Sequence, residues 1–242
     1  MKNVWFGCLA AVLMIPGMAQ GQLPAASADR AVPDGFVSLF DGKTLDGWDG
    51  DPRFWSVQDG CITGISTEKD PVKYNTFLIW KDDVQDFELQ IDFCLYNGNS
   101  GIQYRAWPDE GKPWKLAGYQ ADIADPQYMG FIYGEKFRGI LAQRGQKTKI
   151  GKDHKPVLVE QFADSDALLK QMRPNGWNTY RVVVQGNVCT NYMNGVKIAE
   201  IVDEDDDARF RGKLGLQMHV GPPMKVQFKN VFLKTLPKSD KK

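Results

Sequence analysis

Three short stretches place groups capable of recognition and proton transfer at every second position. They are Gln103 and Arg105 in "GNSGIQYRAW", Gln120 and Asp122 in "GYQADI", and Gln217 and His219 in "KLGLQMHVG". Strand side chains alternate between faces, so each pair would share one face. Ile102 and Tyr104, then Tyr119, Ala121 and Ile123, then Leu214, Leu216 and Met218, fall on the other parity and read as core. A wet sheet face usually mixes Lys, Glu and Thr. Amides, a guanidinium, a carboxylate and an imidazole are instead stiff donors and acceptors suited to a polyhydroxylated ligand. Histidine also titrates near neutral pH, so His219 joins Asp122 as a group able to move a proton. For one segment alone, solvent is an adequate explanation. Three segments together point to a shared ligand face.

Aromatic residues follow these stretches. Trp107, Trp114, Tyr128 and Tyr133 fall in loops or edges, where they either wall a groove or pack as satellite core. "HVGPPM" after His219 reads as a rigid rim or a simple turn.

The elements that must position these groups are strands. "FVSLF", "FWSVQ", "TFLIW", "FELQIDFCLY", "YRVVVQ", "VKIAEI" and "KVQFKNVFLKTL" alternate or are β-rich, with turn residues between them. Asn194-Gly195 between two alternating runs predicts a type I′ hairpin. One short helix is expected over Asp166 to Met172, capped by Asp164 or Ser165 and ended before Pro174. About a dozen strands at this spacing predict an all-β sandwich or jelly roll. The acidic "DEDDD" at Asp203 to Asp207 reads as a solvated turn rather than a calcium site, which needs six or more converging oxygens.

Residues 1–20 read as a signal peptide: Lys2, an apolar run from Val4 to Ile15, and small residues at Gly17 and Ala19. Residues 21–34 read as a flexible linker, 35–236 as the β-sandwich domain and 237–242 as a charged tail. Export to a bacterial periplasm or the exterior is expected, with no membrane span left after cleavage. Balanced charge, 30 Lys and Arg against 30 Asp and Glu, argues against a nucleic-acid groove. Cys61, Cys94 and Cys189 lack paired spacing and read mostly as buried thiols. His154 and His219 share no ligand spacing, so no metal or cofactor is demanded, and a divalent cation on the polar face is left open.

Ten blocks in order then resemble the 3-keto-disaccharide hydrolase domain family. They are "LFDGKTLDGW", "FWSVQDGCITG", "TFLIW", "FELQIDF", "GNSGIQYR", "GYQADI", "YGEKFRGIL", "WNTYRVVVQGN", "MNGVKIAE" and "GLQMHVGPPMKVQFKNV", spanning Gly35 to Leu236. The resemblance implies a concanavalin A-like jelly-roll sandwich of two antiparallel sheets, with sugar on the concave face of the curved one. It also implies substrates whose sugar ring carries a ketone at carbon 3, made by a partner oxidoreductase that dehydrogenates that position.

A ketone at carbon 3 acidifies the hydrogen on carbon 2, so a base can form an enolate that expels the aglycone from carbon 1. Such a route needs a base, an acid and a group on the enolate oxygen. His219 and Asp122 are the leading proton-transfer candidates, Glu135 in "YGEKFRG" is another, and Arg105 suits the ketone oxygen. Asn99, Gln103, Gln120, Arg138 and Gln217 would bind substrate, with Trp107 and Tyr133 as walls. Two alternatives are a non-catalytic lectin-like module and an ordinary endo-glucanase. The second predicts an acidic ExDxxE strand, which the chain lacks.

Overall fold

The computed structural model describes residues 29–124 and 126–239, so the expected signal peptide lies outside the described residues. The alternating runs fold as strands. In chain order they begin β1 (Val37–Ser38), β2 (Trp48–Asp49), β3 (Trp55–Gln58), β4 (Cys61–Ile65), β5 (Thr76–Val84) and β6 (Phe87–Asn97). There follow β7 (Ser100–Pro108), β8 (Leu116–Ile123), β9 (Ile132–Glu135), β10 (Gly139–Ala142), β11 (Gln146–Ile150) and β12 (Pro156–Gln161). After helix α1 (Ser165–Leu169) come β13 (Asn178–Gln185), β14 (Val188–Met193), β15 (Val196–Asp203), β16 (Gly212–Met218) and β17 (Lys225–Thr235). The short strands β9 to β12 add to the dozen that alternation predicts.

Two sheets pack face to face. The larger runs β12-β11-β15-β14-β13-β6-β17-β4-β3, with β1 also on β17, and the smaller runs β10-β9-β8-β7-β16-β5-β2. Pairing is antiparallel except between β11 and β15. The core lies between the sheets: Phe87, Ile91, Phe93, Tyr180 and Val182 from the larger meet Ile102, Tyr104, Tyr119 and Leu216 from the smaller. Tyr104 and Tyr119 stack at 5.9 Å between ring centres. The parity that assigns Ile102, Tyr104, Tyr119 and Ala121 to the core therefore holds, and all are buried.

Local signals behave as their chemistry requires. Asn194 and Gly195 take φ of 51° and 85°, the left-handed pair a type I′ hairpin needs. Asp164 caps α1 by accepting the Ala167 N–H at 2.8 Å. Cys61, Cys94 and Cys189 are free and buried. At the end of the expected linker, Arg30 lies against the larger sheet, pairing with Asp92 at 3.1 Å and covering the Phe232 ring. "DEDDD" is not a solvated turn throughout, because Asp203 and Asp205 are buried and paired with Arg138 at 2.7 and 3.5 Å.

Candidate active-site cleft

The outward face of the smaller sheet carries the polar parity. Register pairs Gln103 with Gln120 across β7 and β8, and Gln120 with Tyr133 across β8 and β9. Cross-strand partners share a face. Gln217 on β16, Gln103 on β7, Gln120 and Asp122 on β8, and Tyr133 and Glu135 on β9 therefore form one polar layer. Gly101 gives that layer room: a Cβ there would sit 2.5 Å from the Gln120 side chain. Asn99 precedes β7 and His219 follows β16, both on the same parity as this layer.

Above one end of the layer lies a cleft of about 730 Å³ lined by Asn75, Asn99, Gln120, Asp122, Tyr128, Tyr133, Glu135, Lys136 and His219, among others. Gln120 Nε2 donates to Asp122 Oδ1 at 2.8 Å and to Gln217 Oε1 at 3.3 Å. Asn75 Nδ2 donates to Glu135 Oε1 at 3.0 Å, and its Oδ1 accepts the Val220 N–H at 2.9 Å. That pairing ties the acidic strand to the loop bearing His219, whose Nδ1 lies 2.5 Å from its neighbour's carbonyl, Val220 O. Asn99 Oδ1 and Gln120 Oε1 have no hydrogen-bond partner among the described residues. Buried polar groups are nearly always paired, so such atoms are suited to ligand hydroxyls.

The electrostatics centre on Asp122. Its side chain is buried, and burial disfavours the charged form; Gln120's hydrogen bond pulls the other way, and the neighbouring Glu135 charge adds to the rise. The net effect lifts the carboxyl to about 7. A carboxyl titrating near the working pH both takes and returns a proton efficiently. Tyr133 is likewise raised, chiefly by burial and then by Glu135.

The cleft thus gathers Asp122, Glu135, His219, Asn99, Gln120 and Tyr133 from the residues the sequence singles out, with Gln103 and Gln217 in the buried layer beside it. Three expected members lie elsewhere. Arg105 sits in a β-bulge at φ 47°, where the β7–β8 register shifts between Tyr104 and Trp107. The bulge turns its side chain out of the polar parity. Its guanidinium is fully buried, pairing with Asp86 at 2.7 Å and donating to the carbonyls of Gln85, Gly186 and Arg209. It staples turns of both sheets instead of facing substrate. Trp107 lies beyond the same bulge, edge-on to Phe137 at 5.2 Å and under Arg209, and is no wall of the cleft. Arg138 is held by Asp203 and covers the Phe137 ring at 4.0 Å, so it braces a loop rather than binding sugar. Trp114 also turns aside, its indole donating to Asp49 at 3.0 Å.

Alternation could not find Asn75 and Lys136. Asn75 lies just before β5, and Lys136 sits at φ 53° in the turn after β9. The one group of close metal-type ligands among the described residues is His154, Asp205 and Asp207, beside the β11–β12 turn and outside the cleft lining.

The chain is thus a β-sandwich with an amide-floored, acid-bearing cleft on its smaller sheet. The chain belongs to the family of 3-keto-alpha-glucoside-1,2-lyase-like domains, whose profile matches residues 35–234. It is 26% identical over 176 residues to a 3-keto-disaccharide hydrolase of Bacteroides thetaiotaomicron, covering 69% of this chain and 58% of that protein. The chain therefore spans little more than half of that relative's length. Among solved structures, a candidate glycosyl hydrolase of Parabacteroides distasonis superposes with a TM-score of 0.57 at 20% identity, over 83% of this chain and 99% of that one. A carbohydrate binding module of Bacillus subtilis superposes with a TM-score of 0.51 at 13% identity, over 78% and 96%. These likenesses show the fold. Among the described residues, no helix is long and apolar enough to cross a membrane.

Proposed function

We propose that this protein cleaves glycosides whose sugar ring carries a ketone at carbon 3. The observation that carries this reading is the placement of Asp122 and Glu135 on adjacent strands of one cleft, with Asp122 lifted toward neutrality by burial and His219 at the rim. The family membership agrees with it.

In this reading the Asp122 carboxylate removes the proton on carbon 2. The electron pair passes to the oxygen on carbon 3 as an enolate, which Lys136 at the cleft mouth stabilises. The enolate then expels the aglycone oxygen from carbon 1, and His219 protonates the leaving oxygen. That elimination leaves a double bond between carbons 1 and 2, conjugated to the ketone. Water adds at carbon 1 and gives one proton to His219, restoring it; Asp122, its proton exchanged with solvent in the open cleft, protonates carbon 2, and one water has been consumed. Glu135, held by Asn75, keeps Asp122 from ionising too readily, while Asn99, Gln120 and Tyr133 hold ring hydroxyls. The protein acts outside the cytoplasm after loss of residues 1–20, on substrate supplied by an oxidoreductase that oxidises carbon 3. Incubation with a 3-keto-glucoside and with its unoxidised parent tests the assignment: release of aglycone from the ketone alone supports it.

A further inference from the structure

Beside the cleft runs a second groove of about 410 Å³, lined by Gly98, Tyr128, Val220, Pro222 and Met224 in addition to Asn99 and His219. Its character differs from the cleft's. Side chains there are mostly apolar, and Tyr128 and Val220 remain 37% and 43% exposed although they are large and hydrophobic. Apolar side chains lining a concave surface are what an apolar part of a ligand packs against. Gly98 keeps the floor flat, since a Cβ there would lie 2.5 Å from that of Met224. Beyond Gly98 the groove adjoins a further apolar cavity of about 400 Å³ bordered by Leu95, Pro126, Met129 and Met172.

Asn99, Tyr128 and His219 line both the polar cleft and the groove. A ligand spanning the two has its polar ring over the amides and its leaving group over Val220 and Pro222. The bond joining them would fall beside the residues that border both, His219 among them. A second sugar in the groove would set hydroxyls against Val220, Pro222 and Met224, whose side chains offer no donor or hydroxyl-type acceptor, which is unfavourable. We propose that the groove is an aglycone subsite for an apolar, ring-bearing alcohol, so that the preferred substrates are 3-keto-glycosides of such alcohols rather than 3-keto-disaccharides. This inference rests on the proposed function for its reacting half.

Three 3-keto-glucosides of similar leaving-group acidity test it: those of methanol, 2-phenylethanol and glucose. Burying a phenyl group in the groove should raise kcat/KM for the phenylethyl compound about tenfold or more over the other two. In Val220→Asp the phenylethyl-to-methyl preference should fall to within about twofold of parity, because a charge now borders the apolar wall. Equal or faster turnover of the disaccharide, or a preference unmoved in Val220→Asp, overturns the inference while leaving the proposed function intact. If no compound is cleaved, the reaction assignment fails, and calorimetric binding still judges the groove. Tighter binding of the phenylethyl than the methyl compound, lost in Val220→Asp, supports it; equal binding overturns it.

Discussion

Gln120 donates to Asp122 across 2.8 Å, two residues apart on one strand and therefore on one face. The pair sets the protonation state of the cleft. Burial pushes the Asp122 carboxyl up, Gln120 holds it down, and the balance sits near 7. With Asp122 as the base, kcat/KM rises with pH through about 7 as the carboxylate forms. Asp122→Asn is expected to lower kcat by about 10²- to 10⁴-fold, the usual contribution of a positioned proton-transfer group. Steady-state rates from pH 5 to 9 check both statements. A flat acidic limb would remove Asp122 from the role.

Gln120→Leu deletes the hydrogen bond that favours the charged form. The Asp122 carboxyl should then titrate higher, moving the acidic limb to higher pH. A merely structural role for Gln120 would lower activity evenly across pH and leave the limb in place.

The same carboxyl has a consequence for stability. Its ordinary pKa is 3.8 and its folded value is about 7, so between those limits the folded protein holds a proton the unfolded chain has lost. Stability therefore falls as pH rises from about 4 to about 7, then levels off. Asp122→Asn removes this dependence and should stabilise the protein above pH 7 by something on the order of 1–3 kcal/mol. Urea unfolding of both proteins at pH 5 and pH 8 measures it.

Arg105 belongs to stability rather than catalysis. Its ion pair with Asp86 has both side chains almost wholly buried, at 1% and 4% exposure. Removing one partner strands the other charge, which costs about 3–5 kcal/mol. Arg105→Met and Asp86→Leu should each destabilise by that order, and the double variant by clearly less than their sum. The refolded Arg105→Met protein should retain its KM, whereas a substrate contact would raise it.

In the proposed reaction, Lys136 takes the part at the ketone oxygen that the sequence reading gives to Arg105. Lys136→Met should lower kcat about 10²- to 10³-fold with little change in KM, since an oxyanion partner acts mainly in the transition state. An effect confined to KM would make it a ground-state contact instead.

Much of this arrangement is legible in the sequence because strands alternate strictly. Gln103, Gln120, Asp122, Gln217 and His219 share a face for the same reason that Tyr104 and Tyr119 share the core. Where alternation breaks, so does the reading. The bulge at Arg105 inserts residues that parity arguments assume absent, and it carries Arg105 and Trp107 off the face together. Arg138 lies three residues from Glu135, but a turn separates them and the Asp203 carboxylate captures it. Asn75 and Lys136 sit in loop and turn positions with no period to reveal them.

Abstraction of the proton on carbon 2 is read out most directly by solvent exchange at that atom. In deuterated water, the 3-keto sugar released from a 3-keto-glucoside by this protein should carry deuterium at carbon 2, above the level of spontaneous exchange in buffer and in Asp122→Asn. Its unoxidised parent should remain intact. Release of a sugar retaining its original hydrogen at carbon 2, or equal cleavage of both glucosides, would rule out elimination through carbon 2 by Asp122.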